Sequence, residues 1–227
     1  MPSSVPVPGP AAPGSPPRPA TPGLAHHRVD LGWPVTTDRL TLRPVVPADA
    51  EAFLSWRSDT SVVRYMYLPP WDHPTAVLKL RTWSNAPFEQ PGDVLVLAVE
   101  LDGDVVGETL LKWAAGPRQV EIGYALHPDV SGQGLATEAA GATLRLAFSA
   151  YGFHRVFARI DEENVASVRV AERLGMRHEA RLVENDLRDG GWSTEVVYAI
   201  LDREHGQSTV RSARTRRSPA DGPDATP

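Results

Sequence analysis

Apolar and polar residues alternate with a period of two along some stretches of the chain and recur with a helical period along others. Arg39–Arg43 (RLTLR) alternates and predicts a strand. Pro47 then opens a helical stretch in which Ala50, Phe53, Leu54 and Arg57 recur at helical spacing. Further helical pieces are expected at about Asp59–Met66 and Thr75–Trp83. Asp93–Leu101 (DVLVLAVEL) is a near-continuous β run. Asp102-Gly103 is a two-residue hairpin signal, and Asp104–Trp113 returns as the partner strand. Arg118–His127 (RQVEIGYALH) predicts another strand, stopped by Pro128.

The pattern then changes. Ser131–Thr137 (SGQGLAT) is a glycine-rich turn that opens a long helix, with Leu135, Ala139, Ala142 and Leu146 along one apolar stripe. Arg155–Ile160 is a strand and Asn164–Leu174 a short helix, with Gly175 where a helix-ending glycine belongs. Two last strands, about Met176–Asp186 and Trp192–Leu201, flank Asp189-Gly190-Gly191. Hairpin strands joined to βα crossovers imply one mixed α/β sheet with helices on both faces.

Composition separates the ends from this core. Ten of the 22 prolines fall within residues 1–34, a Pro/Ala/Gly/Ser mixture that buries too little to offset its ordering entropy, so a disordered tail is expected there. The polar stretch 203–227, with its VRSARTRR run, is expected to be a second solvated tail. The 227-residue chain has a formal charge of −5, but residues 35–202 hold 24 acidic and 16 basic side chains and carry −8. That excess argues against a nucleic-acid binder. The longest apolar run, Val94–Val99, is too short to span a membrane. There is no cysteine, which excludes thiol catalysis and thiolate metal sites and fits a reducing, cytoplasmic setting. His73, His127, His154 and His178 show no ligand spacing, so no metal is expected.

Three segments could carry chemistry. Gly132 and Gly134 flank Gln133 between a strand and a helix, where freed backbone amides and the helix N-terminus make an anion site, although a tight β–α turn alone would also use them. The spacing is neither that of a P-loop nor that of a dinucleotide fingerprint. Asn164 and Ser167 lead the apolar side of their helix, and taken alone they read first as a helix cap and a first-turn polar residue. Glu121 shares a strand face with Gly123 and Ala125, either bordering a ligand groove or facing solvent. No serine-hydrolase elbow is present.

Together, TDRLTLRP at 37–44, EIGYALHPDVSGQGLATEA at 121–139 and HRVFARIDEENVASVRVAERLGMRHEA at 154–180 resemble the GCN5-related N-acetyltransferase (GNAT) superfamily, nearest to its RimJ/RimL-like ribosomal-protein N-terminal acetyltransferase branch. The resemblance covers about residues 35–202. It implies the GNAT fold, a mostly antiparallel seven-stranded mixed sheet flanked by helices on both faces. It implies acetyl-CoA as cosubstrate, no metal, and transfer of the acetyl group to a primary amine by direct attack in a ternary complex. The family's Gln/Arg-x-x-Gly-x-Gly/Ala signature falls on residues 131–136, with Ser131 in place of Gln or Arg. The implied pyrophosphate loop is Gly132, Gln133, Gly134, Leu135, Ala136 and Thr137. Tyr124, Ala125 and Leu126 are implied to hold the pantetheine, and Asn164 to contact CoA. Glu121 matches the general base, and Ser167 the hydroxyl near the CoA sulfur.

The acceptor is expected to be a protein N-terminus, a lysine or a small amine, bound by a monomer or homodimer. Succinyl-CoA as donor, an antibiotic or other small amine as acceptor, and a non-catalytic CoA-binding regulator remain as alternatives. Arg64, Trp71 and Arg81 lie in the region expected to face the acceptor, although structural roles suffice for them.

Overall fold

Strands form wherever the alternation presents one apolar face, and each is stapled to its neighbour in register. The computed structural model describes residues 32–188 and 190–205. The strands are β1 (Val35–Thr36), β2 (Leu40–Pro44), β3 (Val94–Leu101), β4 (Asp104–Trp113), β5 (Gln119–Leu126), β6 (Arg155–Asp161), β7 (Arg177–Arg188) and β8 (Gly191–Leu201). The helices are α1 (Ala50–Arg57), α2 (Thr60–Val63), α3 (His73–Asn85), α4 (Leu135–Arg145) and α5 (Val165–Arg173), and α4 runs on into a wider turn at Leu146–Ala150.

The sheet has eight strands in the order β1-β2-β3-β4-β5-β6-β8-β7. The expected seven are all present. The eighth, β1, adds two residues at the edge, pairing Val35 with Leu42 and Thr36 with Thr41. Two residues carry no readable period, which is why the alternation missed this strand. All neighbours are antiparallel except β5 and β6. The expected tails at 1–34 and 203–227 lie outside the described residues except for 32–34 and 203–205; Trp33 packs on the core.

Two apolar layers cover the two faces. On one, Leu135, Ala139 and Leu144 of α4 and Val170 and Ala171 of α5 pack on Val120, Ile122 and Val156 of the sheet. On the other, Phe53 and Trp56 of α1 and Ala76 and Leu80 of α3 pack on Val96 and Ala98. The expected helices on both faces follow from strands whose inward and outward residues are both apolar.

The β3–β4 hairpin turns at Asp102 (φ +52°) and Gly103 (φ +94°), the double positive φ that this dipeptide signalled. One residue beyond a bulge in the same pair, Gly107 sits hard against β5: an added Cβ would lie 2.6 Å from the Ala125 carbonyl oxygen and 2.9 Å from the Leu126 Cα. Gly107→Ala is therefore expected to force β4 and β5 apart and to cost about 1–3 kcal/mol, as overpacking typically does. Thermal unfolding would read this, and an unchanged Tm would show that the strands yield freely.

Candidate active site

β5 and β6 pair only at Gln119–Glu121 against Arg155–Phe157. Beyond Glu121 the two parallel strands part, so the β6 side of Tyr124–Leu126 has no strand on it. α4 begins after β5 and α5 after β6, which brings both helix starts to this opening. On the α5 side, the Tyr124 hydroxyl donates to the Ser167 carbonyl at 2.9 Å, and burial pushes the phenol pKa upward. Asn164 caps α5, its Oδ1 accepting the Ser167 N–H at 3.1 Å. Tyr124, Asn164 and Ser167 are thus gathered in one place, and the capping role that composition allowed for Asn164 is the one made here.

The glycine turn lies at the start of α4. Gly132 and Gly134 both have φ +78°, a left-handed conformation that glycine adopts without strain. Gly134 is the N-cap, and no side chain caps the helix. The N–H groups of Leu135, Ala136 and Thr137 therefore lack intrahelical partners and lie at the positive end of the helix dipole. The Thr137 hydroxyl oxygen is closed to solvent and has no hydrogen-bond partner. Buried hydroxyls are normally paired, so this one marks a place where a ligand acceptor fits.

The turn is braced from the β1–β2 connection, a feature sequence reasoning missed. Glu138 Oε1 accepts from the Thr37 hydroxyl at 2.6 Å and the Arg39 N–H at 2.9 Å, and Oε2 accepts from Arg39 Nε at 2.7 Å. Arg39 Nη1 reaches on to the Gln133 carbonyl at 3.0 Å. Burial raises the Glu138 pKa, but these donors together hold it below the ordinary carboxylate range. A depressed carboxylate stabilises the folded state above its unfolded pKa, and that contribution is lost as pH falls through the folded value. The brace is thus complete at neutral pH. TDRL and TEA stand almost a hundred residues apart in sequence, so only their presence in one motif set could have hinted at the contact.

Glu121 stands on the opposite face of β5 from Tyr124. It is half-buried beside Arg159, whose Nε lies 3.4 Å from Oε1, and directly across from Lys112 on β4. The face that Glu121 shares with Gly123 and Ala125 also meets Glu108, paired with Ala125 in register. Glu108 is 1% exposed and forms a 2.6 Å ion pair with Arg57. The Arg57 guanidinium lies 4.7 Å over the Trp71 ring, and Trp71 packs at a tilt against Trp83. Trp71 is therefore a buried structural residue. Arg81 is exposed, and Arg64 lines a cleft.

That cleft, about 580 Å³, lies between Thr60–Pro70 and the Leu187–Arg188 end of β7. Its floor is tied to the end of β6. Asp161 Oδ2 accepts from the Tyr67 hydroxyl at 2.9 Å and the Ser193 hydroxyl at 2.7 Å, and Arg188 Nε lies 3.2 Å away. Burial raises the Asp161 pKa, but these donors hold it below the carboxylate norm; burial foremost pushes Tyr67 up to about 12. Among the described residues no cluster of His, Cys, Asp or Glu could hold a metal ion. No described helix is long and apolar enough to cross a membrane.

Residues 39–177 match the family described as Acetyltransferase (GNAT) domain. The chain is 27% identical over 170 residues to the uncharacterized N-acetyltransferase YnaD of Bacillus subtilis, covering 75% of this chain and 98% of that protein. It is 22% identical over 165 residues to the spermidine N(1)-acetyltransferase of Escherichia coli, covering 72% and 87%. Among solved structures, Mycobacterium smegmatis RimJ in complex with CoA-disulfide superposes with a TM-score of 0.66 at 26% identity, covering 81% of this chain and 97% of that one.

Proposed function

The chain belongs to the acetyltransferase (GNAT) family and is an acetyl-CoA-dependent N-acetyltransferase acting on amines; from that premise we propose that its reaction is direct attack in a ternary complex, run from the two faces of β5. Acetyl-CoA supplies the thioester carbon that the amine attacks. The turn Gly132, Gln133, Gly134, Leu135, Ala136 and Thr137 holds the pyrophosphate through backbone N–H groups. Tyr124, Ala125 and Leu126 hold the pantetheine along the unpaired side of β5, and Asn164 contacts CoA beside them.

An aliphatic ammonium has a pKa of about 10 and an N-terminal one about 8, so most of the acceptor is protonated and inert at neutral pH. Glu121 takes that proton, directly or through water. Backbone N–H groups near Leu126 hold the developing oxyanion. Ser167, on the other side of the strand, donates a proton to the departing thiolate. No enzyme nucleophile is used, in keeping with a chain free of cysteine. The same reading makes the protein cytoplasmic and a member of the RimJ/RimL-like branch, supported by the TDRLTLRP, SGQGLA and DEENVASV segments.

The observation that carries the loop assignment is the buried, unpartnered Thr137 hydroxyl under the glycine turn. Thr137→Val removes it while keeping the side-chain shape. The Kd for acetyl-CoA, read by calorimetry, is expected to rise about tenfold, since a hydrogen bond to a charged group is worth about 1.5–3 kcal/mol. The Tm of the free protein is expected not to fall, because the hydroxyl makes no internal bond. An unchanged Kd would remove Thr137 from the CoA site. Thiol release on adding acetyl-CoA and a panel of amines tests turnover itself; CoA binding without thiol release would make the protein a regulator instead.

A further inference from the structure

We infer that the amine acceptor carries an anionic group, held by Arg64 in the cleft beyond the β5–β6 opening. The inference rests on the transferase reading and names its substrate class. Three observations lead to it. The first is position. Tyr67, in the cleft wall, bonds Asp161, the last residue of β6. Thr60, the first residue of α2, lines the same cleft. The cleft therefore stands at the C-terminal end of β6, the strand that parts from β5 after Phe157.

The second is charge. Among the described residues lining the cleft, Arg64 and Arg188 are charged and no carboxylate is present. Asp161 beneath them is saturated: two hydroxyls, the Glu163 N–H and Arg188 all point at it. Arg188 is engaged on both sides, by Asp161 and by Glu163, and its side chain is only 13% exposed. Arg64 is different. It meets Glu163 only at 3.8 Å, rests on the Tyr65 ring at 4.6 Å, and keeps its side chain 45% exposed. Its planar fork of donors suits a carboxylate or phosphate. A polycation seated here would face an arginine, and with Arg64 and Arg188 set against Asp161 and Glu163 the acidic excess of the domain, which by itself slightly favours cationic acceptors, is absent locally.

The third is apolar lining. Leu68 and Leu187 are 51% and 54% exposed and border the same cleft, which Pro69 and Pro70 also line. An acceptor with an apolar part between its amine and its anion covers them.

The test is steady-state thiol release with acetyl-CoA and matched amines: β-alanine against its amide, phosphoethanolamine against ethanolamine, a hydrophobic dipeptide against its C-terminal amide, and spermidine. The anionic partner of a pair is expected to have at least about a tenfold higher kcat/KM, carried by KM, as one charge-assisted contact gives. The first two pairs separate carboxylate from phosphate. Arg64→Gln is expected to abolish the preference and Arg64→Glu to invert it, both with an unchanged Kd for acetyl-CoA. Equal use of both partners, a preference for spermidine, or a preference that Arg64→Glu leaves intact overturns this inference and leaves the transferase reading standing. Absence of thiol release from every amine overturns that reading and this one with it.

Discussion

Glu121→Gln is expected to lower kcat by at least about a hundredfold, the low end of what a positioned general base contributes. The KM for acetyl-CoA is expected to stay unchanged, because Glu121 lies on the face of β5 away from Tyr124 and Ser167. The amide keeps the size of the side chain and can still accept from Arg159, which stands 3.4 Å away and is itself 43% exposed. That exposed contact is worth little, so folding is expected to survive. What the amide cannot do is take a proton from an ammonium. The residual rate should climb with pH as free amine accumulates. An unchanged kcat/KM across pH would sink the base role and turn attention to water or to another group on that face.

Arg57→Ala should have the largest effect on stability. Arg57 and Glu108 pair at 2.6 Å with side chains 5% and 2% exposed. Removing one partner leaves the other charge buried without its counter-ion, at a cost of about 3–5 kcal/mol. For a domain of this size that corresponds to a Tm drop on the order of 10 °C. The loss also includes the guanidinium face on Trp71. The pair is already imperfect: Arg57 Nε and Glu108 Oε2 are both closed to solvent and unpartnered. The double replacement Arg57→Met with Glu108→Leu should therefore recover most of the loss, since apolar side chains of similar volume leave no unpaired charge. Differential scanning calorimetry on the three proteins decides it. A double variant no more stable than Arg57→Ala would mean that packing, not charge, sets the cost.

Local features of the chain were legible one by one. Asp102-Gly103 demands positive φ at both residues and turned where it stood. Gly175 closed α5 with φ +77°. The alternation of Val120, Ile122 and Tyr124 against Glu121, Gly123 and Ala125 correctly divided β5 into two faces, each packed against a different helical layer. The glycine turn could be placed at the start of α4, and Asn164 at the start of α5, because capping and left-handed turns are short-range matters. The two-residue β1 lay below what periodicity can register.

Hydrophobic periodicity says which side of an element is buried. It does not say what covers that side, and the second kind of fact belongs to the tertiary structure. By itself, then, the sequence determined the longer elements, their order and the two-faced sheet. Only the folded chain decided that Arg39 and Thr37 brace the glycine turn through Glu138, that a buried Glu108 is answered by Arg57, that β5 and β6 part after three pairs, and that Arg64 lines a cleft tied to the end of β6. Each of these joins residues far apart in the chain, and such contacts depend on register, strand divergence and packing geometry, none of which leaves a local period to read.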